Sequence, residues 1–256
     1  MKAYLDSVRA VTRRNLVNAI RNPALTVQPA LGPIVFLVAF GGGLSAFGDI
    51  PGFDFPSGYT SFQFVFILMQ AGVFNGVFLG ITLARDLESG FARRLMLAIE
   101  HRTAMVVGYV LAGAVRSLLM FAILFGVGLA AGMQIDGSAW HMLALFTFPL
   151  LLSIVGSLFA SGIALRFQTV QAAPLMFMPS FMLLFLSPLL VPFDLLSGWI
   201  KAVARFNPVT YFLEAGRGFI SGRPHDTLLA YALGAGMVAV FSVWAVRSLK
   251  RAEAAG

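Results

Sequence analysis

Cysteine is absent from this chain of 256 residues, and charged side chains are scarce. Asp, Glu, Lys and Arg make up 11% of the residues, against about 25% in an average soluble domain. Hydrophobic residues make up 59%, and the mean hydropathy is +0.86. A soluble fold could not cover its surface with so little charge, so the composition predicts an integral membrane protein. The lack of cysteine excludes disulfides, iron–sulfur clusters and thiolate metal sites.

Six apolar runs are close to or above the roughly 20 residues that cross about 30 Å of hydrocarbon. The predicted spans cover residues 24–47, 60–84, 106–133, 142–165, 170–191 and 228–246. Five of them contain no Asp, Glu, Lys or Arg. The third holds Arg116, which we expect in the cytoplasmic half of the span, reaching toward the headgroups. The predicted fold class is an all-α polytopic membrane protein with one transmembrane domain, residues 1–256.

The distribution of basic residues predicts the orientation. Thirteen of the eighteen Lys and Arg residues fall in the amino-terminal segment, the loops after the second and fourth spans, and the tail. The opposite loops 48–59 and 134–141 contain none. By the positive-inside rule both termini are cytoplasmic. Since the basic residues flank the spans and line no single face, the net charge of +7 does not indicate nucleic-acid binding.

The first 23 residues have the pattern of an amphipathic helix. One set of positions recurs at helical spacing on an apolar face: Leu5, Val8, Thr12, Leu16 and Ala19. Another face carries Lys2, Asp6, Arg9 and Arg13. This pattern predicts a helix lying along the cytoplasmic membrane interface. The alternative is a solvated basic tail.

The cytoplasmic segment 85–102 mixes charges with five apolar side chains: Phe91, Leu95, Met96, Leu97 and Ile99. A loop that only joined two spans could be shorter and need not be apolar. A short helix with an apolar stripe and charged flanks suits docking into a groove on another protein. The alternative is an interfacial helix resting on lipid headgroups.

The outer segment 192–224 is too polar to span the membrane, yet it is rich in aromatic and aliphatic side chains such as Trp199, Phe206 and Phe219. It predicts short helices at, or dipping into, the outer leaflet, with aromatics at headgroup depth. The basic residues that depart from the positive-inside rule lie here: Lys201, Arg205, Arg217 and Arg223. They fit a segment folded against the bundle at the outer headgroups.

Catalytic and cofactor chemistry finds no support in the sequence. The three histidines, His101, His141 and His225, are not paired within a span, which argues against metal or haem ligation there. A phosphate-binding P-loop needs Gly-Lys, and no lysine follows a glycine. A membrane enzyme or assembly factor would need converging catalytic side chains, and none are found. We therefore expect a non-catalytic chain without a cofactor of its own.

The residues inside the predicted spans also indicate which energy sources could drive transport. Ion-coupled carriers usually place Asp, Glu or His inside the membrane as a relay, and the predicted spans contain no acidic relay. Energy for an active transporter would then arrive from outside the chain, through the segment 85–102. A passive channel or an ion-coupled carrier without an ATPase partner remains the alternative.

Four stretches in this order resemble a known family. They read RRNLVNAIRNP (13–23), RDLESGFARRL (85–95), VVGYVLAGAVRSLL (106–119) and RFNPVTYFLEAGRGFISG (205–222). The chain resembles the type-2 ATP-binding-cassette exporter permeases, most closely the daunorubicin-resistance-type drug and lipid exporters, over essentially its whole length. One departure is AIEHR (98–102), where a proline is often found.

The resemblance implies a division of labour between this chain and its partners. A separate ATPase subunit would bind ATP and Mg, and a second permease chain, identical or a sister, would complete the transporter in the bacterial cytoplasmic (inner) membrane. The implied ATPase-coupling residues are Arg85, Asp86, Glu88, Phe91, Arg94 and Leu95. The implied connecting helix carries Arg9, Arg13 and Arg14. The implied outer motif consists of Asn207, Pro208, Tyr211, Glu214 and Arg217.

Two patterns inside the spans bear on packing and passage. Gly72, Gly76 and Gly80 form small-xxx-small motifs, which favour close helix packing inside the subunit over a dimer contact. Spans two and five are predicted to line a path for a hydrophobic small molecule, lipid or glycolipid. The candidate path residues are Phe66, Gln70, Phe74, Asn75, Met178 and Met182. For the amides, bonding between helices explains their presence equally well.

Overall fold

The computed structural model describes residues 1–22, 24–43, 48, 51 and 53–254, and over these residues the chain is helical without strands. The helices are α1 Lys2–Arg21, α2 Ala24–Gly43, α3 Gly58–Glu88, α4 Phe91–Ala98, α5 Thr103–Ala130, α6 Ala139–Phe167, α7 Ala173–Phe185, α8 Gly198–Phe206, α9 Pro208–Ile220 and α10 Thr227–Ala254. The expectation of an all-helical, multi-pass membrane protein is confirmed.

Four of these helices, α3, α5, α6 and α10, are long and apolar enough to cross a membrane. They correspond to the second, third, fourth and sixth predicted spans. Two shorter apolar stretches, Pro29–Gly41 and Val170–Phe185, coincide with the first and fifth. Residues 44–47 of the first predicted span lie outside the described part of the chain. Six spans therefore stay a prediction beyond the four long helices.

Helix α3 runs through the centre of the bundle, and its closest neighbour is α6. A Cβ atom at Gly76 would lie 2.5 Å from the backbone nitrogen of Ser157 and 2.6 Å from the carbonyl oxygen of Ser153. Gly72 and Gly80 meet the same helix, at Pro149 and Ala160. Only glycine permits this approach, so the predicted packing of the small-residue motif inside the subunit is confirmed.

Two clusters of buried side chains surround α3. The cluster at its amino-terminal half includes Phe66, Phe148 and Phe212. The cluster at its carboxyl-terminal half includes Leu87 and Tyr109. The first cluster joins α3 to α9, and the second joins it to α1, α4 and the last turns of α10. The bundle therefore has two ends, called here the α9 end and the α4 end.

Helix α1 packs along α5. Its buried residues are Val8, Val11, Asn15 and Ala19. A Cβ atom at Gly108 would come within 2.7 Å of the Cβ of Val11, and the Thr12 hydroxyl donates to the Gly108 carbonyl at 3.1 Å. Leu5, assigned to the apolar face from the sequence, stays 59% exposed. Because one face of α1 is buried on α5, the helix is part of the bundle and not a free basic tail.

The fifth predicted span is shorter than the apolar run that suggested it. A 3₁₀ turn at Val170–Ala172 leads into α7, which ends at Phe185, whereas the run extends to residue 191. The Ser187 hydroxyl donates back to the Leu184 carbonyl, and Pro188 cannot donate a helical hydrogen bond. The outer segment then forms α8 and α9, which agrees with the predicted short helices. Trp199 and Phe206 of α8 are 70% and 87% exposed.

Candidate functional site

The candidate site at the α4 end is organised around one partly buried carboxylate, Asp86, whose side chain is 13% exposed. Asp86, in the last turn of α3, accepts two hydrogen bonds from the Arg14 guanidinium of α1; the one between Nη2 and Oδ1 measures 3.1 Å. The Tyr109 hydroxyl of α5 donates to the same carboxylate and accepts from Arg14 at 3.2 Å. The guanidinium carbon of Arg14 lies 3.8 Å from the centre of the Phe91 ring. These four residues, here called the Arg14 cluster, connect α1, α3, α4 and α5.

The electrostatics of the Arg14 cluster keep the arginine charged. The hydrogen bond to Asp86 raises the pKa of Arg14 against the opposing effect of burial. A planar guanidinium can bond both oxygens of a carboxylate while its face stacks on an aromatic ring, which a lysine ammonium cannot do. The cluster therefore fixes the amino terminus of α4 against α1 with more geometric precision than a simple ion pair.

Three further contacts attach the α4 region to other helices. The Glu88 carboxylate accepts from the backbone N–H of Val170 at 3.0 Å. Arg93 donates to the side-chain oxygen of Gln168, which ends α6 in a left-handed conformation at φ 54°. Arg102 pairs with Glu253 at 3.6 Å, near the end of α10. The segment between α3 and α5 is thus held by α1, α6, α10 and the turn before α7.

Gly90 allows the chain to turn between α3 and α4. Its φ is 75°, in the left-handed region that glycine adopts without the steric cost of a Cβ atom. Helix α4 then presents Arg94 and Leu97 outward, and the Leu97 side chain is 82% exposed. An exposed leucine beside arginines is the pattern of a docking surface with an apolar anchor and a charged rim.

A groove of about 610 Å³ lies beside this surface. Its lining residues come from α4, the end of α6 and the end of α10: Arg93, Met96, Leu97, Arg102, Arg166, Phe167, Gln168, Ala252 and Glu253. The lining combines apolar side chains with three arginines and one glutamate, Glu253, so the groove carries net positive charge and can accept a partner element that is apolar at its centre and acidic at its edges. The described residues contain no cluster of side chains that would hold a metal ion.

The six coupling residues expected from the sequence divide into two groups. Asp86, Glu88 and Phe91 contact their own chain, as just described. Arg85 and Arg94 are exposed, and Leu95 is half-buried against the core of the α4 end. Their role toward a partner stays a prediction.

Sequence reasoning placed Leu97 on the apolar stripe of the segment 85–102 but did not count it among the coupling residues, and it missed the contributions of Tyr109 and Gln168. Leu97 carried a usable signal, because it follows Arg93 by one helical turn and so shares its face. Tyr109 and Gln168 carried no such signal, because their partners are distant in the sequence. Asp86 lies 23 positions from Tyr109, and Arg93 lies 75 positions from Gln168.

The three arginines expected on the connecting helix also differ from one another. Arg9 and Arg13 are exposed on α1. Arg14 is the centre of the cluster with Asp86. The outward pair is available to a partner, whereas Arg14 positions the helix that carries them.

The outer motif forms a second polar cluster, at the α9 end. Arg217 is 2% exposed and donates to Glu214 and to the Pro188 carbonyl, each at 2.8 Å. Its guanidinium carbon lies 3.4 Å from the centre of the Phe62 ring on α3. Burial lowers the pKa of Arg217 to about 10, which still leaves the group charged at neutral pH.

The remaining residues of the outer motif shape the start of α9. Asn207 caps this helix, accepting from the Val209 N–H at 3.0 Å, and it donates to the Leu183 carbonyl of α7 at 2.6 Å. Pro208 occupies the first turn, where its missing N–H is not needed. The Tyr211 hydroxyl donates to the Arg205 carbonyl at 2.9 Å. Arg217, Asn207 and Tyr211 therefore fix α9 against α3, α7 and α8, while Glu214 and Pro208 act within α9 itself.

The residues expected along a path do not gather around one cavity. Phe66 and Gln70 are buried inside the subunit. Phe74 packs against Phe177 of α7, with 5.8 Å between the two ring centres. Met178 and Met182 are 64% and 57% exposed on the outside of α7.

Asn75 takes part in bonding between helices, which was one of its two expected roles. Its amide nitrogen donates to the Gly113 carbonyl at 2.9 Å and to the Ser153 hydroxyl at 3.1 Å. Its oxygen accepts from Arg116, which therefore contacts α3.

Helices α3 and α7 do share one apolar cavity, of about 160 Å³, but through other side chains. These are Val73 on α3 and Pro179, Ser180 and Leu183 on α7. Residues of α6, α9 and α10 complete the lining. The cavity lies between spans two and five, but their lining of a substrate path stays a prediction, as do the six residues named for it.

Comparison with known proteins supplies the family. A family model described as "ABC-2 type transporter" matches residues 6–220. The chain is 27% identical over 214 residues to the "Probable doxorubicin resistance ABC transporter permease protein DrrC" of Mycobacterium tuberculosis, covering 83% of this chain and 76% of the relative. It is 25% identical over 241 residues to a daunorubicin resistance ABC transporter permease protein of Streptomyces coeruleorubidus, covering 91% and 82%. The chain therefore belongs to the ABC-2 type transporter family, as a membrane-embedded permease of that family.

Proposed function

We propose that this chain is the permease subunit of an ATP-driven exporter that moves a hydrophobic or amphipathic substrate out of the cytoplasm or the inner leaflet. The substrate class is a drug, a lipid or a glycolipid, and the relatives named for doxorubicin and daunorubicin resistance favour it. ATP and Mg bind to a separate ATPase subunit, so the chain itself is not catalytic. It lies in the bacterial cytoplasmic membrane with six spans, formed by the four long helices together with α2 and α7, and with both termini in the cytoplasm.

The observation that carries this proposal is the outward presentation of α4. Leu97 is 82% exposed beside Arg94, while the other end of the helix is fixed through Phe91 to Arg14. A helix that protrudes but is held rigidly by several others suits the transfer of force from a partner. A helix lying on lipid headgroups would need no such bracing.

The bracing also explains how movement of the partner would reach the spans. A push on α4 acts on α3 through Asp86 and Gly90, and on α6 and α10 through Gln168 and Glu253. These helices make up most of the bundle. The ATPase can therefore act on the whole bundle through one short contact surface.

A second permease chain completes the proposed transporter, as an identical copy or a sister subunit. The outer face of α7, with Met178, Phe181 and Met182 exposed, and the exposed side of α2, with Leu31 and Val35, offer apolar surface for it or for lipid. The substrate passes between the two permeases in this arrangement.

The test is copurification from cells that coexpress the tagged chain with its neighbouring genes, followed by mass spectrometry to identify any ABC ATPase that is recovered. Leu97→Asp places a charge at the centre of the proposed docking surface, and we expect it to abolish recovery of the ATPase. Leu228→Asp is the matched control. Leu228 is 84% exposed in the first turn of α10, whereas the last turns of that helix lie at the α4 end. This substitution should leave recovery unchanged.

Two outcomes would count against the proposal. An ATPase that copurifies equally with the parent and with Leu97→Asp would move the docking surface away from α4. Substrate transport by the purified chain alone in vesicles, with no ATPase present, would favour the passive channel or ion-coupled carrier.

A further inference from the structure

Arg116 lies near the middle of α5 along the helix axis. It follows the first residue of that helix, Thr103, by 13 positions, which corresponds to about 20 Å along the axis. Its side chain is half-buried. A guanidinium at this depth is costly in a bilayer unless it is paired or reaches polar groups. The contacts of Arg116 therefore decide what it does there.

The contacts that the described residues make with Arg116 leave most of its charge uncompensated. Its Nη2 donates to the side-chain oxygen of Asn75 at 3.2 Å, and Asn75 is a neutral group. A guanidinium has five N–H donors. None of the three ion pairs among the described residues includes Arg116. This arrangement contrasts with Arg14 and Arg217, each of which bonds a carboxylate.

The free side of Arg116 faces two apolar cavities that share three lining residues, Val27, Arg116 and Leu119. The larger, of about 440 Å³, extends toward the end of α1 and includes Ala19 and Ile20. The smaller, of about 220 Å³, extends along α2 and α5 past Ile34 and Ile123. Together they form a continuous cleft, called here the Arg116 cleft, with one cation at its centre.

The Arg116 cleft opens to the surroundings of the bundle. Its outer wall is made of apolar side chains that remain 44–57% exposed: Val27, Leu31, Val115, Leu119 and Ile123. A chain of methylene groups can lie against this wall without displacing protein contacts. The end near α1 leads toward the basic helix that carries Arg9, Arg13 and Arg21, all exposed.

We propose that the Arg116 cleft binds an anionic phospholipid from the leaflet at the α4 end. The phosphate enters beside the end of α1 and pairs with Arg116, and an acyl chain lies along Leu31, Leu119 and Ile123. The charge complementarity selects the occupant, because a neutral or zwitterionic lipid would leave the guanidinium uncompensated or bring a second cation with it. The proposal goes beyond the export function and does not depend on an ATPase partner.

The experiment uses the absence of cysteine from the natural sequence. Leu31→Cys, labelled with bimane, places a fluorophore on the wall of the cleft. The labelled protein is reconstituted into vesicles that contain dibrominated phosphatidylglycerol or dibrominated phosphatidylcholine, and bromine quenching reports which lipid is adjacent. We expect an apparent preference for phosphatidylglycerol of about fivefold, the effect of one basic residue near an anionic lipid.

Two matched controls locate the preference. Leu229→Cys on α10, 45% exposed, reports ordinary annular lipid and should show a smaller preference. In the Leu31→Cys background, Arg116→Gln should abolish the excess, whereas Arg116→Lys, which keeps the charge, should retain most of it. Arg223→Gln removes an exposed charge outside the cleft and should have no effect.

Equal quenching by the two lipids at Leu31→Cys, or equal preference at Leu31→Cys and Leu229→Cys, would overturn the proposal without any Arg116 variant. An excess preference that survives Arg116→Gln would also overturn it. Since the readout is lipid proximity in the absence of nucleotide, it is separate from the copurification test. Failure of the export proposal would leave this result intact.

Discussion

Arg14 stacks its guanidinium on the Phe91 ring, 3.8 Å from the ring centre, while it bonds Asp86 with both terminal nitrogens. The contact joins residues that are 77 positions apart and belong to the two segments with which the chain is proposed to meet its ATPase. Movement of α4 relative to α1 must break this stacking or carry α1 along. The two contact segments therefore behave as one platform.

Replacing Arg14 should destabilise that platform. Arg14→Gln removes the charge and the stacking face, and we expect a loss of about 1.5 kcal/mol in the free energy of unfolding, the lower end for a hydrogen bond to a charged group because the Arg14 side chain is 34% exposed. Arg14→Lys should recover little, because a lysine ammonium has neither the planar fork that forms two parallel bonds to a carboxylate nor a face that stacks on the Phe91 ring. The measurement is denaturant titration in detergent. Arg13→Gln, an exposed neighbour on the same helix, is the control and should behave like the parent.

A double-mutant cycle tests whether Arg14 and Asp86 act together. The cost of Asp86→Asn in the parent should exceed its cost in the Arg14→Gln background by about 1 kcal/mol, as for residues in direct contact. Additive costs would show that the two residues stabilise the protein independently. That result would remove the basis for treating the Arg14–Asp86 pair as the link between α1 and the end of α3.

The contact between α3 and α6 should not tolerate a single methyl group at Gly76. The Cβ of Gly76→Ala would meet the backbone at Ser157 and Ser153, which cannot move away as a flexible side chain can. We expect a loss of about 1–3 kcal/mol in the free energy of unfolding, the usual cost of overpacking. Gly126→Ala on α5 is the control, because its Cβ would meet no other atom within 4 Å. Equal melting temperatures for the two variants would contradict the close packing.

Two ion-paired glutamates of similar exposure should differ sharply in their effect on stability. Glu214 pairs with Arg217, whose side chain is 2% exposed, whereas Glu253 pairs with Arg102, whose side chain is 38% exposed. Glu214→Ala leaves a charge buried and should cost about 3 kcal/mol. Glu253→Ala should cost less than about 1 kcal/mol, since Arg102 remains hydrated. Chemical unfolding of both variants provides the comparison.

Asn207 combines two roles that substitution can separate. Asn207→Asp keeps the oxygen that caps α9 but loses the donor to the Leu183 carbonyl of α7, whereas Asn207→Ala loses both. We expect about 1 kcal/mol for the loss of the cap, measured as the difference between the two variants in the free energy of unfolding. A cost of Asn207→Asp equal to that of Asn207→Ala would show that the cap contributes nothing.

The sequence allowed the helical spans and the short outer helices to be predicted, because run length and amphipathic spacing are local properties. The structure agrees at α3, α5, α6 and α10. The end of the fifth predicted span was not predictable in the same way. Hydropathy continues to residue 191, but backbone bonding around Ser187 ends α7 earlier.

The contacts of the candidate site were harder to anticipate for a physical reason. A charge in a cytoplasmic segment gives no local sign of whether it faces a partner or its own chain. Asp86 and Glu88 were expected at a docking surface, yet they bond Arg14 and Val170, 72 and 82 positions away. Only the way the helices pack brings these groups together, and that information is spread over the whole chain.

Helix α3 gives this arrangement a mechanical character. Its 31 residues contain no proline and measure about 46 Å end to end, and Phe62 beneath Arg217 and Asp86 beside Arg14 belong to the same rod. A continuous helix without a proline kink moves as one rigid body. A shift imposed at the α4 end, where the ATPase is proposed to bind, therefore arrives at the buried Arg217 of the α9 end as the same shift, and the two ends of the bundle move together without any relay of intermediate side chains.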